Sequence, residues 1–115
     1  MRIKTKSLQS KLTKKDGLRV CVMRRIKPEF KFDVWIPCLA PPEKLLKDYV
    51  INKKITWSIF KKRFQKNVIE KNKKILRILI QASNIMPVTL LCWEKSEKKC
   101  HRSILLTECK KLIAK

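Results

Sequence analysis

The apolar run from Val88 to Trp93 constrains the fold most, because Pro87 before it and Glu94-Lys95-Ser96 after it give it the length and flanks of a buried strand. After a polar stretch, Leu105, Cys109, Leu112 and Ile113 recur three and four residues apart, the apolar stripe of a helix near 100–114. A strand that runs through a tight loop into a helix places a junction at the strand's carboxyl end, where ligands sit in open α/β sheets. Cys100, Arg102 and the only histidine of the chain, His101, lie at that junction.

Two further strands are read upstream. Leu18 to Arg24 follows the turn signal Asp16-Gly17, and its two-residue period puts Leu18, Val20, Val22 and Arg24 on one face. The stretch near 2–7 alternates apolar and basic residues and reads as a short strand. Residues 25–41 read as a long irregular connection, since Pro28, Pro37 and Pro41 forbid an uninterrupted helix while Phe30, Phe32 and Trp35 supply apolar anchors. Helices follow near 42–51, 56–69 and 72–83. Pro42 suits a first turn, and Leu45, Leu46, Tyr49 and Val50 share a face. Thr56 caps a helix striped by Trp57, Phe60, Phe64 and Val68. Ile75, Leu76, Leu79 and Ile80 mark the next, which Asn84 or Pro87 stops.

This order predicts a single α/β domain over residues 1–115, with a short, mostly parallel sheet (strands near 2–7, 18–24 and 87–93) packed by helices. The strands at 18–24 and 87–93 are expected to be parallel across a helical crossover, which brings Arg24 and Glu94 to one edge.

Composition limits the function classes. At 115 residues with 44% hydrophobic content there is room for one core. No apolar run approaches the roughly 20 residues of a membrane span, so neither membrane nor secretion is expected and the cytoplasm is the default. Five cysteines without a Cys-x-x-Cys spacing point to reduced thiols. The net charge of +21 falls in two basic blocks, +9 over residues 1–31 and +9 over 53–77. Such a surface attracts polyanions in a salt-dependent way. Lysine far outnumbers arginine and is accompanied by many isoleucines and asparagines, a pattern that compositional drift alone also gives.

The residues Asp16-Gly17-x-Arg19-Val20-x-Val22-x-Arg24, Trp35-x-x-x-Leu39-Ala40-Pro41, Trp57-x-x-Phe60-x-x-Arg63-Phe64 and Thr89-Leu90-Leu91-Cys92-x-Glu94-Lys95, followed by Cys100-His101-Arg102-Ser103, resemble the bacterial and archaeal family called domain of unknown function 488, the YeaO-like proteins. The resemblance spans nearly the whole chain in order, and its last block is the specific part. It implies a soluble cytoplasmic α/β protein and no established reaction. Two departures stand out: the family's Pro-Arg-Gly after the second strand is replaced by Ile26-Lys27-Pro28-Glu29, and its Ser after Ala-Pro is Pro42.

Three functions remain open at this stage. The first is a pocket for an anion or a phosphate-bearing small molecule, built from Arg24, Glu94, His101 and Arg102 and walled by Trp35 and Tyr49. The second is nonspecific nucleic-acid binding through the basic surface. In the third, Cys100 serves as the nucleophile of a cysteine-dependent enzyme, its thiol acidified by a helix start and neighbouring cations. Helix phase opposes the third: measured from Leu105, His101 falls about 40° to one side and Arg102 about 60° to the other, while Cys100 points away. The same four polar residues also make a purely structural network, with Glu94 paired to Arg24 or Arg102. Cys92, Cys100 and His101 match no standard ligand spacing, so no metal and no cofactor is expected. The oligomeric state is not set by the sequence.

Overall fold

The computed structural model describes residues 1–94 and 99–114. Its sheet is built around the apolar run just singled out. Strand β4 (Val88–Cys92) lies between β1 (Ile3–Ser7) and β2 (Leu18–Cys21), and β3 (Val34–Trp35) flanks β2, giving the order β1-β4-β2-β3 with every pairing parallel. Val88 is level with both Ile3 and Leu18, so three strands start together and run to one carboxyl edge. All of β4 is buried, because both faces of this central strand are covered, and a strand in that position shows a continuous apolar run instead of alternation.

One face of the sheet meets the helices. Ile3, Val20, Val22, Val88, Leu90 and Cys92 enter a single core with side chains from all four: α1 (Glu43–Val50), α2 (Trp57–Phe64), α3 (Lys73–Ser83) and α4 (His101–Ala114). The Thr56 hydroxyl caps α2 by accepting the Ile59 N–H at 3.3 Å. The helix expected over 56–69 is continuous, but beyond Phe64 it widens, over Gln65–Ile69, into a turn in which the Glu70 N–H reaches the Gln65 carbonyl. That widening buries the adjacent Val68 and Ile69 together, which a regular helix face would separate by about 100°. On α4, Ile104 is buried and Ile113 is exposed, so the apolar stripe turns away from the core at the last turn.

The opposite face is covered by the turn before β2. There the Asp16 carboxylate, fully buried, accepts the Thr13 N–H at 2.9 Å and Lys6 Nζ at 3.1 Å and lies 3.4 Å from Lys4 Nζ, while its backbone carbonyl accepts the Thr89 hydroxyl at 2.7 Å. Burial works to raise the carboxyl's pKa, but the Thr13 amide and the Lys6 ammonium outweigh it and bring it down from 3.8 to about 2. Gly17 follows with φ +63° because the chain passes against Pro87, whose carbonyl oxygen would lie 2.0 Å from any Cβ there.

Two elements differ from expectation. Strand β2 stops at Cys21, although the Val22 N–H still bonds the Leu91 carbonyl, because the Val22 carbonyl is taken by the His101 ring at 2.8 Å and the Met23 carbonyl, on the β3 side, by the Trp35 indole N–H at 2.6 Å. The long connection contains β3 and one turn of tight helix at Pro37–Leu39, pieces too short to leave a period in the sequence. No helix among the described residues is long and apolar enough to cross a membrane.

Candidate functional site

At the carboxyl edge of the sheet a cavity of about 380 Å³ opens between the end of β4, the start of α4, α1 and the segment after β2. Its size is that of a small-ligand site. One side is aromatic and aliphatic: Leu46, Tyr49 and Val50 of α1 face Trp57 and Phe60 of α2, so the apolar face of α1 lines the cavity and leaves Leu46 and Val50 exposed. The other side is charged, with Arg24, Arg25, Glu43, Glu94 and Lys99. Arg25 is paired with Glu43 at 2.8 Å, and the Nε of Arg24 donates to the Pro41 carbonyl at 3.0 Å.

The floor is made by Cys92, Cys100 and His101. Cys92 is the last residue of β4, and Cys100 directly precedes α4, whose first residue is His101. His101 Nε2 lies 2.8 Å from the Val22 carbonyl, an acceptor only, so this nitrogen carries the proton and Nδ1 keeps its lone pair. That lone pair faces Cys100 Sγ at 3.9 Å. Burial, reinforced by the Arg102 guanidinium and opposed by the Val22 carbonyl, lowers the imidazole to about 4 and keeps it neutral near pH 7. The Cys92 and Cys100 sulfurs are in contact. They pair as a disulfide, against the expectation of reduced thiols throughout, although their Cα atoms are 8.0 Å apart, wider than the span of about 4.4–6.8 Å usual for that bond; the reduced pair is two thiols side by side.

Of the site residues expected from sequence, Arg24, Glu94, His101 and Tyr49 line this cavity. Arg102 lies behind its wall, 3% exposed, donating to Cys92 Sγ at 3.1 Å and to the Glu94 backbone carbonyl at 2.5 Å. Trp35 stands on the far strand, bonded to Met23, and does not reach the cavity wall. The expectation that Cys100 points away is corrected: it is buried at the centre of the floor, because the helix begins one residue later and the 100° rule does not govern a residue outside it. Trp57 and Phe60, the apolar stripe of α2, pack toward the core and also line the cavity; nothing in a helical apolar stripe separates the two roles. Phe30 stacks on Trp93 with ring centroids 5.5 Å apart, which fastens the long connection over the same edge.

The remaining described cysteines are unlike these. Burial raises Cys21, and burial together with Glu108 raises Cys109 to about 11, so both are packing residues, while Cys38 is exposed. A family model described as the active DUF488-N3 subclade matches residues 3–111. No curated protein and no solved structure matches the chain.

Proposed function

The chain belongs to the DUF488-N3a family, and from that premise we propose that its cavity binds a small molecule carrying a phosphate or carboxylate group and presents it to Cys100 and His101. The observation that carries this reading is the lining itself. Cations at Arg24 and Lys99 share one cavity with an aromatic wall and with the thiol and imidazole floor. An anionic group meets the cations and the first turn of α4, while a flat or apolar body lies against Tyr49 and Trp57. The test is thermal stabilisation by millimolar inorganic phosphate or a nucleoside monophosphate at moderate salt. A ligand at a hundredfold excess over its Kd stabilises by roughly 2.7 kcal/mol, and Arg24→Ala should remove that gain. Absence of any stabilisation in the unaltered protein rejects the pocket.

Cysteine-dependent chemistry is supported by the 3.9 Å approach of Cys100 Sγ to His101 Nδ1, the arrangement in which an imidazole takes a thiol proton. Selective alkylation of Cys100 at neutral pH, with loss of phosphate protection, checks it. Nucleic-acid binding is the second reading, supported by the exposed Lys61, Lys62 and Arg63 of α2 and Lys74 and Arg77 of α3. Affinity for random DNA that collapses between low and moderate salt would mark it as nonspecific.

A further inference from the structure

We propose that Cys92, Cys100 and His101 hold one zinc-class divalent ion whose fourth coordination position opens into the cavity. The donor atoms, two sulfurs and one imidazole nitrogen, all lie within 4.8 Å of one another and are buried. A tetrahedral zinc with bonds of about 2.0–2.3 Å holds its donors roughly 3.5–3.8 Å apart, so with the sulfurs reduced and parted, small side-chain adjustments bring this trio onto one ion. The 8.0 Å between the cysteine Cα atoms is wider than a disulfide usually spans and suits two thiolates converging on a shared ion once the pair is reduced.

Three features beyond the donors support the assignment. The Val22 carbonyl fixes the proton of His101 on Nε2, which frees Nδ1 to ligate, the outer-shell arrangement that metal-bound histidines use. Arg102 places a guanidinium 3.1 Å from Cys92 Sγ, where it offsets the charge of a thiolate. The ligands come from a central strand end and a helix start, elements that hold their positions without the ion.

Ligand chemistry selects the ion. Two thiolates and one imidazole suit zinc and exclude magnesium or calcium, which take oxygen donors. Three protein ligands leave a position for water or substrate, as in reactive sites; structural zinc sites close with four. All three ligands line the same cavity as Arg24 and Lys99. The proposal rests on the pocket reading only for what fills that position: the anionic group of the ligand, drawn to the ion.

The reduced, chelator-treated protein should take up one equivalent of zinc in equilibrium dialysis. With cobalt(II) it should develop a thiolate-to-metal charge-transfer band together with the visible bands of a tetrahedral centre. Zinc should slow modification of Cys92 and Cys100, but not that of the exposed Cys38, and Arg102→Lys should weaken metal affinity by about 10–100-fold, as loss of an outer-shell partner does. Cys100→Ser should abolish the cobalt charge-transfer band or shift its intensity; if that variant does not fold, thiol protection in the unaltered chain decides. No stoichiometric uptake, or rapid alkylation of Cys100 that zinc leaves unchanged, overturns the proposal. Phosphate stabilisation measured with chelator present separates the two readings: its persistence without zinc uptake keeps the pocket and removes the ion, and uptake without phosphate stabilisation does the reverse.

Discussion

The two faces of one sheet bury polar groups in opposite ways. Around Asp16 the charges answer each other inside the protein: a carboxylate held by the Thr13 amide, Lys6 and Lys4, and a carbonyl held by Thr89. At the carboxyl edge the groups converge on a space. Cys92, Cys100 and the Nδ1 of His101 point toward one another and line a cavity. Buried polarity that is fully paired contributes stability, whereas donors gathered at one point are what the proposed ion would bind.

The sharpest way to break the first region is Gly17→Val. A Cβ at φ +63° would sit 2.0 Å from the Pro87 oxygen, so both strain and overlap oppose it, and a loss of about 3–5 kcal/mol is expected in urea unfolding. An unchanged midpoint would mean that the turn does not pass against β4. Leu105→Ala, a fully buried truncation on α4, should cost roughly 2–5 kcal/mol. A near-neutral result there would put α4 out of the core and the His101 position with it.

Asp16 gives a smaller effect with a definite sign. Its folded pKa of about 2 lies below the ordinary 3.8, so its stabilisation is present above pH 3.8 and is lost as the pH falls through 2. The difference corresponds to about 2 kcal/mol. Asp16→Asn should therefore be less stable than the unaltered chain at about pH 5 and converge with it near pH 2; parallel curves would show the carboxylate to be unpaired. The least effect belongs to the cavity wall. Arg24 is exposed, and Arg24→Ala should leave the melting point within about 0.5 kcal/mol while removing phosphate stabilisation. A large loss of stability would move Arg24 from the binding region to the structural one.

The sequence made the fold legible where burial is periodic or complete. Val88–Cys92 reads as a strand because both its faces are covered, and Phe60, Phe64 and Val68 read as a helix because they share one side. Val34–Trp35 did not, since two residues carry no period. The site was legible in part: the junction after β4 and the residues Arg24, Glu94 and His101 were visible as chemistry at one edge, and the cavity lining includes them. Cys100 was misdirected by a single residue of helix boundary, a margin that patterns do not resolve. Cys92, Cys100 and His101 match no standard ligand spacing because they come from a strand end and a helix start.

The central place of β4 also governs how the molecule assembles. Strands β1 and β2 are not partners; each waits for a neighbour that is synthesised after three helices, and only the two-residue β3 can pair earlier. Every long ladder therefore closes a loop of most of the chain's length, which makes folding slow relative to a helical protein of this size. Cys92 ends the last strand to arrive and His101 begins the last helix, so the sheet and the candidate site come into being in the same step, and a chain halted before β4 contains neither.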